Sequence, residues 1–143
     1  MKTIIKAGLI SLSLGLSLTT AAPALAHHSF AAQYDGAKPV RLTGKLVKIE
    51  WTNPHSYIHL AVTRKDGTVQ EWACEGANPG ALSRRGFKRG DIKIGDKLTV
   101  DGFLAKSGAK LIDARRITLA GGRTIFGGSA GDGGPGDAAG AGT

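Results

Sequence analysis

"HSYIHLAVTRKDGTVQEWACE", residues 55–75, carries the pattern that decides the fold. Apolar and other side chains alternate along residues 57–62, which is typical of a strand with one buried face. Asp66-Gly67 is then a strong hairpin-turn signal, and alternation resumes over residues 69–75. The stretch therefore predicts two antiparallel strands joined by a tight turn.

The flanking sequence predicts more strands and one short helix. Residues 40–50 alternate with a break near Gly44, as expected of a bent strand. Asn78 can cap a helix that starts at Pro79 and that Gly86 can end after about two turns. Two more strands follow, in residues 97–105 and after the turn at Ser107-Gly108.

The order of these elements indicates the fold class. Three strands, a helix and two strands is the order of the OB fold, a five-stranded Greek-key barrel. We therefore expect an all-β domain over residues 40–126: a small five-stranded OB-like barrel with one short helix between strands 3 and 4. A five-stranded β-sandwich has the same pattern and is the alternative.

The first 26 residues have the features of a cleaved signal peptide. Lys2 and Lys6 precede an uncharged stretch of about sixteen residues, too short and too rich in Ser, Thr and Gly for a spanning helix. Ala24 and Ala26 then form the A-x-A pattern that signal peptidase accepts. We expect a periplasmic or secreted protein that begins at His27 and has no membrane span after cleavage.

The rest of the chain would hold one modest domain. Cleavage of the 143-residue chain after residue 26 leaves 117 residues, and loss of two lysines lowers the net charge from +8 to +6. Cys74 is the single cysteine, so no intrachain disulfide can form. Residues 27–39 are expected to be an N-terminal segment, and the glycine-rich residues 127–143 a flexible, disordered tail.

The four histidines are the candidate metal ligands: His27, His28, His55 and His59. After cleavage, His27 offers its α-amine and its ring Nδ1 to one ion, and another imidazole would complete a three-nitrogen histidine brace. Amine and imidazole nitrogens suit Cu(II), which leads the divalent affinity order. The sequence therefore predicts a copper site at the mature N-terminus.

The sequence does not select which histidine supplies the third nitrogen ligand. A regular strand would hold His55 and His59 roughly 13 Å apart at a rise of about 3.3 Å per residue, so one of them singly is expected, with His28 in reserve. The alternative is that none of them binds metal. His59 would then face solvent, His55 would bond within a turn, and His27 and His28 would be a frayed terminus.

A second hypothesis is a periplasmic adaptor that binds a protein or glycan partner without metal. Its candidate surface joins an aromatic pair to the dense basic cluster "RRGFKR", and its residues are Trp51, Tyr57, Arg84, Arg85, Lys88 and Arg89. Export argues against nucleic acid as the partner of these charges. No catalytic arrangement of Ser, Cys, His or carboxylate residues has a persuasive local context, so binding is expected rather than catalysis.

The sequence also resembles a known family. "HHSFAAQYD", "EWTNPH" and "GDKLTVDG", with the stretch as far as Gly128, are similar to small exported bacterial proteins grouped as DUF6152. The resemblance implies export and a small β fold, and it implies no settled activity. Cys74 departs from the apolar or aromatic residue usual there, which favours a packing role over a ligand role.

Overall fold

The computed structural model describes residues 30–129 and 132–135 of the 143-residue chain. His27, His28 and the predicted signal peptide lie outside the described residues. Six strands, two short α-helices and one 3₁₀ helix at Arg89–Asp91 are present in the described part. Their bounds in chain order are α1 Phe30–Gln33, β1 Tyr34–Glu50, β2 Ser56–Thr63, β3 Val69–Gly76, α2 Pro79–Arg84, β4 Lys97–Ala105, β5 Leu111–Thr118 and β6 Thr124–Phe126.

The strands form one sheet in the order β3-β2-β1-β4-β5-β6. Neighbours in this order are antiparallel, and β3 also pairs with β5 in parallel. The expectation of a mostly β fold is confirmed. The strand count was wrong, because β6 adds a sixth strand of three residues, too short to leave an alternation pattern in the sequence.

Local signals explain the elements that were predicted. Asn78 Oδ1 accepts a hydrogen bond from the Ala81 N–H at 2.9 Å, and Pro79 occupies the first turn of α2. Gly86, just after the helix, has a φ of +78°, which glycine adopts without steric cost. A register shift between Leu46 and Lys48 bends β1 three residues after Gly44.

The main core lies on the face of the sheet that α2 covers. Leu46, Leu60 and Leu98 from the strands are fully buried with Leu82 of α2 and Phe87 just after it. Each such side chain contributes about 1.5–3 kcal/mol relative to its exposed state. Because inward and outward positions alternate, this core fixes which side chains of β1, β2, β4 and β5 face the other way.

A second, smaller cluster covers part of that opposite face. Phe30 of α1 stacks on Tyr34 with ring centroids 5.8 Å apart and meets Phe103 edge-on at 5.4 Å. The Phe30 N–H donates to the Asp132 carbonyl oxygen at 2.9 Å. Residues 127–129 and 132–135, part of the expected flexible tail, are thus among those described, and Asp132 contacts the N-terminal helix.

Candidate functional site

A row of polar side chains crosses the sheet on the face opposite the main core. Glu50 of β1 is the cross-strand partner of Tyr57 on β2, Tyr57 is that of Glu75 on β3, and Glu75 is that of Asp113 on β5. Directly opposite residues on neighbouring strands hold their Cβ atoms about 4.5–5.5 Å apart, so these side chains interact along the row. The row links the carboxylate partners of His59 and His55 to the buried charge cluster described below.

Four charged side chains at the β5 end form a buried charge cluster: Glu75, Asp113, Arg115 and Asp132. Arg115 Nε forms an ion pair with Asp113 Oδ2, and Arg115 Nη2 donates to Asp132 at 2.9 and 3.0 Å. Asp113 is 4% exposed and Glu75 9% exposed. Asp113 and Asp132 thus share one guanidinium away from water, with Glu75 opposite Asp113, an arrangement that costs desolvation energy on every ion.

The cluster shifts the protonation of Asp113. Burial raises the pKa of the Asp113 carboxyl to about 7; Arg115 opposes the rise, while Asp132 and Glu75 add to it. Asp113 therefore exchanges its proton near neutral pH, unlike a carboxyl in water, whose pKa is about 3.9.

Two tyrosines flank Glu75 in different ways. Tyr57 donates its hydroxyl to Glu75 Oε2 at 2.8 Å, and burial followed by Glu75 raises its pKa. Tyr34 is 3% exposed, and its hydroxyl makes no hydrogen bond to a described residue. Burial, and then the nearby Glu75 carboxylate, raise the Tyr34 pKa. Tyr34 therefore brings an unsatisfied polar atom to the edge of the buried charge cluster.

His55 lies at the other side of Glu75, directly before β2. Its Nδ1 is 3.5 Å from Ser129 Oγ, at the long limit for a hydrogen bond, and 3.6 Å from Glu75 Oε1, an ion-pair contact beyond hydrogen-bond distance. The side chain is 16% exposed, and within residues 30–129 and 132–135 no group bonds to its Nε2. His55 Nδ1 is thus held by two long contacts, while Nε2 has no bonded partner among the described residues.

His59 has both ring nitrogens occupied. Nε2 lies 2.9 Å from Glu50 Oε1, and Nδ1 lies 3.0 Å from Glu71 Oε1. Two ionised carboxylates can only accept, so satisfying both requires an N–H on each nitrogen. Lys48 binds the same Glu50 oxygen at 2.6 Å and contributes most to the lowered pKa of Glu50. A metal at His59 would have to displace a carboxylate.

The structure does not bring the described histidines together. His55 contacts Glu75, His59 contacts Glu50 and Glu71, and within the described ranges no group of three His, Cys, Asp or Glu side chains could hold a metal ion.

Cys74 is buried in the main core, and burial raises the pKa of its thiol to about 12, which agrees with a packing role. None of the helices in the described part is long and apolar enough to cross a membrane.

The residues expected for a partner surface differ in their contacts and in their exposure to solvent. Trp51 packs edge-on against Phe87 in the core, 5.6 Å between centroids, while Tyr57 binds Glu75. Arg85 turns inward over the Phe126 ring at 4.9 Å and donates to the Gly128 carbonyl at 2.5 Å. The other three cations of the cluster are exposed: Arg84, Lys88 and Arg89. Trp51 thus contacts Phe87, which lies within the basic cluster, whereas Tyr57 contacts Glu75.

An open groove, which we call the arginine groove, was not anticipated from the sequence. It has a volume of about 780 Å³ and lies on β1, β4, β5 and β6, with Pro135 at one side. Arg41, Asp101, Arg116 and Phe126 are successive cross-strand partners that line it. Their alternation with core residues was visible in the sequence, but nothing local indicated that the four strands would be adjacent.

The buried charge cluster was also missed. Asp113 and Arg115 alternate with Ile112 and Ala114, so the sequence marks them only as the polar face of a strand. Contacts from residues far along the chain, Phe30 and Asp132, cover them instead. Asp113 and Arg115, two charges at alternate positions among apolar residues, were the available signal, and that signal is weak.

The chain matches one family model. Residues 16–112 match the model of DUF6152, described as a family of unknown function. No curated protein matches the chain. The matched range spans more than half of the 143 residues and includes both described histidines, Glu50, Glu71 and Glu75. The chain belongs to the DUF6152 family.

Proposed function

We propose that this protein is an exported binding protein that holds copper through the mature N-terminal His27 and completes the site with His55. The proposal requires cleavage after Ala26, which frees the α-amine of His27, and it places the protein in the periplasm or outside the cell. The observation that carries it is the stacking of Phe30 on Tyr34, which lies near Glu75, the carboxylate that contacts His55.

The anchor point is well defined. The Phe30 N–H is bonded to Asp132, and its ring stacks on Tyr34. Tyr34 lies next to Glu75, whose Oε1 is 3.6 Å from His55 Nδ1. Residue 27 precedes Phe30 by three residues, a reach of about 10 Å at most. We propose that this short tether carries the His27 amine to the polar side chains around His55.

His55 is the better third ligand than His59. A metal at His55 Nε2 displaces no hydrogen bond from a described group, and Glu75 and Ser129 can orient the ring through Nδ1. A metal at His59 costs a bond to Glu50 or Glu71. Two nitrogens from His27 and one from His55 supply the three-nitrogen set that suits Cu(II). His28 remains the reserve ligand.

The test compares two matched histidine variants. The full-length chain is expressed with export, the mature N-terminus is verified by mass spectrometry, and Cu(II) is titrated calorimetrically. His55→Gln should lower affinity at least about tenfold, in line with loss of a ligand, whereas His59→Gln should change it by less than about twofold. Equal effects of the two substitutions, or copper spectra without nitrogen coordination, would reject the proposed ligand set.

The scaffold for this site is proposed to be an OB-like barrel. Each of β1 to β5 pairs with at least two other strands, because β3 pairs with both β2 and β5, and α2 follows β3 and precedes β4 in the chain, as in that fold. In a two-sheet sandwich β3 would be an edge strand, and the backbone amides on one of its sides would have no partner strand. Hydrogen exchange is the test: protected amides on both sides of β3 support the barrel, and a freely exchanging row on the β5 side contradicts it.

A further inference from the structure

We propose that the arginine groove binds an acidic oligosaccharide, whose carboxylates are held by Arg116 and Arg41. This site is separate from the copper site and does not depend on it. The argument rests on the charges, the hydroxyl groups and the aromatic rings that the sheet brings to this face.

The charge of the face is positive and partly uncompensated. Arg41 is paired with Asp101 at 2.5 and 3.1 Å, yet its side chain is 67% exposed. Arg116 is the other cross-strand partner of Asp101. Its side chain is exposed, and its guanidinium forms no ion pair or hydrogen bond with any described residue. Lys45 and Lys97, opposite each other on β1 and β4, extend the positive face. A planar guanidinium without a partner is suited to bind a carboxylate in a bidentate manner.

Next to this row lies a row of hydroxyl groups. Thr43, Thr99, Thr118 and Thr124 are successive cross-strand partners on β1, β4, β5 and β6. Their hydroxyls pair at 2.9 Å between Thr43 and Thr99 and at 3.2 Å between Thr118 and Thr124. Each hydroxyl retains further capacity to donate or accept. The face therefore offers repeated hydrogen-bonding groups beside the arginines.

Aromatic rings complete the groove. Phe103 and Phe126, both half-buried, line it together with Pro39 and Pro135. Sugar rings stack their C–H faces on such surfaces while their hydroxyls and carboxylates bind polar neighbours. The exposed large apolar residues of the described part, Val47, Val69 and Ile94, lie outside the groove, so none of them inserts into a lipid bilayer from within it. An acidic glycan fits these groups better than a membrane surface does.

The probe is tetragalacturonate, and its fully methyl-esterified form is the matched neutral control. We expect the acid to bind the exported full-length protein and to shift the amide NMR signals of Arg41, Arg116 and Phe126, and the ester to bind at least about fivefold more weakly, since charged hydrogen bonds are the stronger ones. Arg116→Gln should lower affinity for the acid at least about fivefold as well.

Arg64→Gln is the control substitution, because Arg64 is exposed in the turn between β2 and β3 and loses the same charge. It should change affinity less than about twofold, as expected for a distant, screened charge. Equal losses for both variants, equal binding of acid and ester, or signals that shift only away from the groove would overturn the proposal. Binding to phosphatidylglycerol vesicles that depends on Arg116, without binding to tetragalacturonate, would overturn it too.

Discussion

Glu75 and Asp113 are direct partners across the parallel β3–β5 ladder, and both carboxyls are withdrawn from water. Burial, with Asp132 and Glu75 nearby, raises the Asp113 pKa to about 7 even though Arg115 opposes it. In the unfolded chain the same carboxyl titrates near pH 3.9. The folded protein therefore keeps a proton on Asp113 over a pH range in which the unfolded chain has lost it.

This difference predicts how stability depends on pH. Because the folded state binds more protons between about pH 4 and about pH 7, the free energy of unfolding should fall as pH rises through that window and level off above it. The Asp113 contribution is on the order of a few kcal/mol. Asp113→Asn should remove this fall. Urea unfolding at pH 5 and pH 8 measures it, and an unchanged pH dependence in the variant would refute the role of Asp113.

The two tyrosines beside Glu75 give a second prediction. Tyr34→Phe removes a buried hydroxyl without a described partner, so it should change stability by less than about 1 kcal/mol or increase it. Tyr57→Phe removes a hydrogen bond to Glu75 and should cost about 1–2 kcal/mol. Chemical denaturation of both variants is the measurement. A larger cost for Tyr34→Phe than for Tyr57→Phe would show that Tyr34 has a bonding partner.

A third prediction concerns the close approach of β4 and β5. A Cβ at Gly102 would overlap the carbonyl oxygen of Asp113, whereas a Cβ at Gly90 would meet nothing within 4 Å. Gly102→Ala should therefore cost about 1–3 kcal/mol, the usual cost of forcing an extra group into packed structure. Gly90→Ala is the matched control and should stay within about 0.5 kcal/mol of wild type. Thermal unfolding of the two variants measures both losses of stability. Equal losses would contradict the packing described at Gly102.

The sequence predicted the elements that have local signals. The hairpin turn at Asp66-Gly67 and the cap at Asn78 are chemical features of a few adjacent residues, and both are present. The short elements α1 and β6 were missed, since three or four residues do not make a measurable period. The start of β1 at Tyr34, ahead of residue 40, was missed for another reason: Gly36 and Pro39 interrupt its pattern.

The candidate site was predicted less well, because its burial is non-local. His55 and His59 were predicted as candidate metal ligands, but the sequence did not indicate their separate carboxylate partners on β1 and β3. The sequence yielded no prediction for Arg115. Phe30 and Asp132, which are 85 and 17 residues away from it in the chain, cover it in the fold. Alternation along one strand cannot indicate which distant segment lies over it.

The central claim is that an uncapped His27 amine binds copper, and one comparison of two proteins tests it most directly. Cu(II) is titrated into exported protein that begins at His27 and into the same protein with three alanines added before His27. The added residues move the free amine off His27, leave every imidazole in place and put no histidine among the first three residues, where it would form a new copper site with the free amine. We predict an affinity loss of at least about a hundredfold, the upper range for a lost metal-site interaction. Equal affinities for the two proteins would contradict the claim.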